Sequence, residues 1–285
     1  MKSLRLRAPA KLNLYLKVVN KRPDGYHNLI TLFERIDLYD DLEFRLNPSG
    51  RIRLFCRDRD VPTGPRNLVY RVARRLKEDY GVKSGVDIRI IKRIPVAAGL
   101  AGGSTNAATA LMGLSRLWKI NLTRSRLISY GKSLGADVPF FLYDCSWGLG
   151  TERGDKIRKV PIKAKLWHIL VVPRVKMRTP RVFQGLKLDL TKDSDNVNIL
   201  IHNLRKSNSI RVGQLLRNDL EHKVFQLCPS LKTLKNRLRQ LDTPGVALSG
   251  SGPSIFGLTD SKKKAEQVKA VLKKRYSRVY VVRTL

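Results

Sequence analysis

The sequence predicts a chain of mixed strands and helices whose character changes near residue 160. Three stretches carry that reading. Leu4, Leu6, Leu12, Leu14, Leu16 and Val18 alternate with polar residues, as half-buried strands do. Pro95 to Ala110, PVAAGLAGGSTNAATA, leads from an apolar strand through a glycine-rich turn into residues with helical spacing. Leu166 to Val172, LWHILVV, is a dense apolar run of the buried-strand kind. At 285 residues the chain suits one large domain or two of ordinary size. The change of character across the basic stretch Lys156–Lys163 divides it into residues 1–158 and 159–285.

Period two sets Lys11, Asn13, Tyr15 and Lys17 on the face opposite the leucines, so Lys11 and Asn13 can project together. On spacing alone Lys11 reads as a solvent-facing strand lysine. RPDGYH (Arg22 to His27) has turn composition. At its exit Tyr26 offers a ring for stacking and His27 an imidazole for hydrogen bonding, the means of reading a splayed base; an aromatic that only anchors the loop fits as well. Leu42 to Phe55 is expected to form a strand pair. Asn67 to Tyr80 is expected to be a helix with Leu68, Val69, Val72, Ala73 and Leu76 along one stripe, Asn67 as its cap and Gly81 after its end.

Val86, Ile88 and Ile90 form the strand that delivers the Pro95–Ala110 segment. Gly99, Gly102 and Gly103 let backbone N–H groups face one point. The helix behind them adds its unpaired N–H groups and partial positive charge, which together make an anion site suited to phosphate. Ser104 or Thr105 can cap that helix or place a hydroxyl on a phosphate-bound metal. A tight turn with a serine cap and no ligand is an equal reading of a lone glycine motif. No lysine follows the last glycine, so the Walker pattern is missing. The helix runs to about Trp118, and another covers Leu122 to Leu134, closed by Gly135. Asp137 follows, and Pro139 is expected to stop the helix from resuming. On local grounds Asp137 reads first as a cap or turn residue.

Further along, TPRVF (Thr179 to Phe183) precedes a polar stretch around Lys192 to Asn198, with Phe183 a candidate for packing in a loop. Helices are expected over Asn198–Arg205, Val212–Glu221 and Leu231–Leu241. SGSGPS (Ser249 to Ser254) is a second glycine turn in which Gly250 and Gly252 can approach a ligand backbone-first. A basic helix, Ser261 to Lys274, and a strand, Val279 to Val282, close the chain.

Composition narrows the class. With 42% hydrophobic and 28% charged residues the chain is globular, and no apolar run is long enough to span a bilayer. Two arginines occupy the place of a signal peptide's apolar centre. Cys56, Cys145 and Cys228 are odd in number and far apart, which suggests neither a disulfide framework nor a zinc cluster. A reducing cytoplasm is the expected location. The 57 Lys and Arg against 23 Asp and Glu give +34 and a pI near 10.7, a balance that favours polyanions. The basic residues are spread along the whole chain without a detached tail, zinc-finger spacing or RNA-binding aromatic motif. A solvated surface is the expected reading, with no specific nucleic-acid partner and no membrane.

The glycine-rich segment resembles the phosphate loop of the GHMP kinases, named for galactose, homoserine, mevalonate and phosphomevalonate. ALSGSGPSIFGL (Ala247 to Leu258) is similar to that superfamily's third motif, and LGADVPFFL (Leu134 to Leu142) to the segment that carries its catalytic aspartate. APAKLNLYLKVVNKRPDGYHNLITLFERIDLYD (Ala8 to Asp40) resembles one branch, whose substrate is cytidyl-diphospho-methylerythritol. The resemblance implies a two-domain GHMP kinase fold with a crossover of unusual hand. Its N-terminal part would be a ribosomal-protein-like α+β domain and its C-terminal part a ferredoxin-like α/β sandwich. It implies ATP and Mg²⁺ as cofactors and phosphorylation of an alcohol in non-mevalonate isoprenoid synthesis, by a monomer or homodimer. Alternatives are another GHMP small-molecule kinase or a basic nucleic-acid-binding protein.

By the same resemblance, Lys11 and Asp137 are catalytic. Pro95, Val96, Ala97, Ala98, Gly99, Leu100, Ala101, Gly102, Gly103, Ser104 and Thr105 hold the phosphates, with Asn67 near the adenosine and Ser104 the metal-side hydroxyl. Asn13, Tyr26, His27, Phe183, Gly250 and Gly252 contact substrate, with Tyr26 and Phe183 on the cytosine faces and His27 at its edge. Ala101 stands where many relatives have glycine, which predicts a negative φ there.

Overall fold

The computed structural model of the protein describes residues 3–184, 186 and 196–285. They fall into two compact units that interleave along the chain. The first comprises the described residues up to Ala10, Leu38–Val96 and Ala101–Asp144; the second comprises Lys11–Asp37, Ala97–Leu100 and the described residues from Cys145 onward.

Strands β1 (Ser3–Lys21) and β2 (His27–Asn47) each contribute to both units. The turn between them closes as its composition predicts, with the Arg22 N–H donating to the Tyr26 carbonyl at 2.8 Å. The expected half-buried strand is instead covered on both faces from Lys11 to Leu16. Alternation there separates two interiors, because the polar side chains are hydrogen-bonded inside rather than hydrated.

In the first unit, β3 (Ile52–Cys56) runs parallel to β4 (Gly85–Ile91), which pairs antiparallel on its other side with Asp41–Asn47 of β2. Parallel neighbours need a crossover, and α1 (Leu68–Asp79) supplies it. Its stripe Val69, Val72, Ala73 and Leu76 is buried and packs against α2 (Gly102–Leu117). Truncating a leucine in such a stripe costs about 2–5 kcal/mol. Helix α3 (Arg124–Leu134) is capped by Thr123, whose hydroxyl accepts from the Arg126 N–H. Pro139 does not prevent a new helix. It occupies the first turn of α4 (Val138–Leu142), where a missing N–H costs no intrahelical bond.

In the second unit, β5 (Trp147–Thr151) and β6 (Lys156–Lys159) form an antiparallel hairpin, and β5 also lines Thr31–Glu34 of β2. The basic composition of Lys156–Lys163 conceals this hairpin in the sequence. Next come β7 (Trp167–Val171), α5 (Thr179–Phe183), α6 (Asn196–Arg205) and α7 (Ser209–Gln214). They are followed by β8 (Arg217–Asn218), α8 (Glu221–Leu227), α9 (Pro229–Arg239) and β9 (Val246–Leu248). β10 (Ile255–Thr259), α10 (Lys262–Lys273) and β11 (Val279–Arg283) complete the chain. An antiparallel sheet in the order β11-β7-β10-β9 packs its apolar residues with Leu231, Leu234 and Leu238 of α9.

The helix expected over Val212–Glu221 is broken into α7, β8 and α8. Asn218 accepts the Leu220 N–H at 3.0 Å and donates to the Leu248 and Gly250 carbonyls at 2.8 Å. Asp219 holds the Val18 N–H at 2.9 Å. These tertiary bonds outweigh local propensity. Of the polar stretch Lys192–Asn198, the part before Asn196 lies outside the described residues. Among the described residues no helix is long and apolar enough to cross a membrane.

Candidate active site

In the second unit the side chains of β1 meet two glycine turns. Lys11 is 3% exposed and Asn13 2%. The Lys11 ammonium donates to Asn13 Oδ1 at 2.6 Å and to the Gly99 carbonyl at 2.9 Å. That same carbonyl accepts from the Ser249 hydroxyl at 2.9 Å. The Lys11 N–H bonds the Leu100 carbonyl at 3.2 Å. Both turns require glycine here. Gly99 has φ 74° and a Cβ there would lie 2.1 Å from the Ser249 carbonyl. Gly250 has φ 54°, and a Cβ would press on Lys11 Nζ at 3.2 Å and the Gly99 carbonyl at 3.3 Å. Lys11, Asn13, Gly99 and Gly250, predicted from three separate stretches, are thus in contact.

Beyond them, Asn13 Nδ2 donates to the Thr31 hydroxyl at 2.8 Å, which donates to the Tyr15 carbonyl at 2.8 Å. Thr31, Asn218 and Ser249 are absent from the sequence-based site. Ser249 stood inside the recognised SGSGPS turn; a threonine on a strand and an asparagine within an expected helix carry no such signal. Gly252 has φ 76° and precedes Pro253 through a cis peptide.

A second group in this unit is aromatic. Tyr26 is 57% exposed, with the Arg153 guanidinium 5.2 Å from its ring centre. Arg153 is itself held by Asp155 at 2.7 Å. The His27 and Phe183 rings lie 5.2 Å apart, tilted by 33°. Phe183 is half-buried against the core, and its helix starts where the Thr179 and Ser251 hydroxyls pair at 2.8 Å. Partial burial, with a smaller contribution from the Lys21 charge, holds the His27 imidazole below its usual 6.5. The ring is therefore neutral near pH 7, offering one donor and one acceptor.

The first unit carries Asn67, the end of the glycine-rich segment and Asp137. Asn67 caps α1, accepting the Val69 N–H at 2.8 Å and donating to the Pro62 carbonyl at 2.6 Å. Helix α2 begins without any side-chain cap, on Ala101 at φ 57°. The expected negative φ at Ala101 is therefore wrong, and a left-handed alanine costs about 1–2 kcal/mol. Ala97, in the second unit, is likewise left-handed at φ 52°. The first intrahelical bond of α2 is Thr105 N–H to the Ala101 carbonyl. The N–H groups of Gly102, Gly103 and Ser104 precede it and have no intrahelical partner. Neither Ser104 nor Thr105 caps the helix. Thr105 is 0% exposed, whereas Gly103 is exposed and Ser104 half-buried.

The approach to α2 is held from behind. The buried Asp40 carboxylate takes the Lys92 ammonium at 2.7 Å and the Arg93 and Ile94 N–H groups at 2.7 and 2.8 Å. Neighbouring Asp41 is bound by Arg93 at 2.7 Å and Arg5 at 3.0 Å. Burial works against its charge, but the two guanidinium bonds prevail and hold the carboxyl below its usual 3.8. Asp137 is half-buried at the cap position of α4, where its side chain makes no capping bond.

Comparison with known proteins bears on this arrangement. Residues 67–145 match the GHMP kinases N terminal domain and residues 200–278 the GHMP kinases C terminal. A 4-diphosphocytidyl-2-C-methyl-D-erythritol kinase of Bacillus subtilis is 38% identical over 279 residues, covering 98% of this chain and 96% of the relative. One of Syntrophus aciditrophicus is 38% identical, covering 95% of each. Among solved structures, a 4-(cytidine 5'-diphospho)-2C-methyl-D-erythritol kinase superposes with a TM-score of 0.84 at 31% identity, over 99% of this chain and 100% of the other. A homoserine kinase of Cytophaga hutchinsonii, at 21% identity and a TM-score of 0.76, shares the fold over 100% of this chain and 95% of its own.

Proposed function

The chain belongs to the GHMP kinases, ATP-dependent small-molecule kinases, within the group of 4-diphosphocytidyl-2-C-methyl-D-erythritol kinases, and from that premise we propose its chemistry residue by residue. The reaction transfers the γ-phosphoryl group of ATP to the 2-hydroxyl of 4-diphosphocytidyl-2-C-methyl-D-erythritol. The observation that supports it best is the double donation of Lys11 and Ser249 to the Gly99 carbonyl, which joins three of the four signature stretches at one oxygen.

Phosphoryl transfer has a loose transition state, so the protein's work is positioning and charge neutralisation. The unpaired N–H groups at the start of α2, uncapped by any side chain, fit a phosphate. Lys11 supplies positive charge for the transferring group, and Asp137 accepts the proton of the attacking hydroxyl. Tyr26 and Phe183 contact the cytosine and His27 its edge, while Asn13, Gly250 and Gly252 line the substrate. Asn67 stands near the adenosine. Among the described residues no group of three His, Cys, Asp or Glu could hold a metal. Ser104 is the hydroxyl that would hold Mg²⁺, which would supply charge neutralisation to the phosphates; the burial of Thr105 favours Ser104. Along the sequence the N-terminal domain is residues 1–158 and the C-terminal one 159–285, a linear division that the interleaved compact units cross. The protein works in the cytoplasm as a monomer or homodimer, without a specific nucleic-acid partner.

A coupled assay of ADP release, with and without the cytidyl-diphospho substrate, tests this reading. Turnover is expected only with that substrate, and Asp137→Asn should lower it by on the order of a hundred-fold or more while ATP titrates nearly as before. Turnover on a smaller alcohol alone would point to another GHMP kinase. Loss of ATP binding in the variant would reassign Asp137 to the fold or the metal.

A further inference from the structure

The hydroxyl of Thr31 lies one residue removed from Lys11, and its hydrogen bonds fix more than their number suggests. A threonine hydroxyl has a single proton. Here it goes to the Tyr15 carbonyl at 2.8 Å, a group that can only accept. Towards Asn13 the same oxygen must therefore accept, and the 2.8 Å contact demands that Asn13 present its Nδ2. With Nδ2 committed, Oδ1 is turned to the Lys11 ammonium at 2.6 Å. The opposite amide orientation would leave both ends mismatched, with the N–H₂ donor facing the ammonium donor on one side and the carbonyl acceptor facing an accepting hydroxyl oxygen on the other.

We propose that Thr31 is a positioning residue for phosphoryl transfer, which sets the amide orientation of Asn13 and through it the direction of the Lys11 ammonium. This rests on the reading of Lys11 as catalytic. Thr31 is buried, as are Asn13 and Lys11, so water does not compete for these bonds. A second restraint, the Gly99 carbonyl, holds Nζ from the loop. Gly250 walls the other side, since a Cβ there would lie 3.2 Å from Nζ and 3.4 Å from Asn13 Oδ1. Without the hydroxyl, the amide can turn about its terminal torsion, and the ammonium loses one of these two acceptors. The nearly isosteric valine removes the hydroxyl while keeping the branched shape, and serine restores the hydroxyl without the methyl.

The test is steady-state kinetics on Thr31→Val, Thr31→Ser and Asn13→Ala, singly and with Thr31→Val added to Asn13→Ala, with Lys11→Ala alongside. Thr31→Val should lower kcat about tenfold with KM for ATP unchanged, and Thr31→Ser should stay within about threefold of the parent. In the Asn13→Ala background the valine should have no further effect, because there is no amide left to orient. Equal losses for serine and valine, or multiplication of the Thr31→Val and Asn13→Ala losses, would overturn the positioning role and leave Thr31 a packing residue. An unchanged rate in Lys11→Ala would instead remove the catalytic reading of Lys11. Should the valine variant fail to fold, the serine variant and a third, Thr31→Ala in the Asn13→Ala background, decide between the same outcomes.

Discussion

Two helices of the first unit start in opposite ways. Helix α1 opens on Asn67, whose amide satisfies the Val69 N–H and ties itself to the Pro62 carbonyl. Helix α2 opens on a left-handed alanine with no side chain across its end. Both termini carry the same partial positive charge, but one is closed by a side chain of its own chain and the other has no side-chain cap. A strained, uncapped start costs stability, and such costs gather where binding recovers them. On the proposed reading, the phosphate site at α2 depends as much on what is withheld from the helix end as on what is placed there.

The strongest way to break this contrast is to close α2 with charge. Gly103 is exposed and a Cβ there meets nothing within 4 Å, so Gly103→Asp should fold. Its carboxylate would occupy the phosphate position, and calorimetric titration should show ATP affinity reduced by about a hundred-fold or more, against an almost unchanged melting temperature; intact affinity would mean the phosphates bind elsewhere. Opening α1 is a smaller change. Asn67→Ala should lower unfolding free energy by about 1 kcal/mol, and Asn67→Asp, which still accepts, should recover most of it in urea titrations.

Acid sharpens the contrast differently. The cap of α1 is an amide and does not titrate, whereas the approach to α2 leans on the Asp41 carboxylate, held below its usual 3.8 by Arg93 and Arg5. A carboxyl depressed on folding contributes stability above its unfolded value and loses it as pH falls through the folded one. Amide protection around Asp41, measured by hydrogen exchange relative to intrinsic rates, should therefore fall below about pH 4 before that of α1. The smallest effect is expected from Ala101→Gly. Relief of the left-handed alanine, offset by glycine's extra chain entropy, should raise stability by about 0.5 kcal/mol, read as a small upward shift in melting temperature.

Much of the candidate site could be proposed from the sequence because its residues sit in short contiguous stretches. The Gly99–Gly103 and Gly250–Gly252 turns declare themselves by local composition, whereas Lys11 and Asn13 stand out only through the resemblance, since spacing alone reads Lys11 as a solvent-facing strand lysine. The helices and strands with strong periodicity, α1, β4, β7 and α10, also lie close to where spacing places them. Legibility fails where tertiary bonds decide. Nothing local marks Thr31, and the helical pattern through Val212–Glu221 yields to Asn218 and Asp219, whose partners are about thirty and two hundred residues away. The burial of both β1 faces was hidden for a related reason, since period two tells two sides apart without saying that both are covered. Proline at 139 misled through position, as a residue that ends one helix can equally begin the next.

The oxygen of Gly99 accepts from a strand lysine and from a serine about 150 residues further on. Three sequence-distant stretches are therefore geared together, and a displacement of that peptide must carry the ammonium with it. Grafting in a loop whose carbonyl sits differently would then turn the lysine away, even if every grafted residue folded as it does in its donor. Chimeras in this fold should be cut so that all three stretches travel as a set.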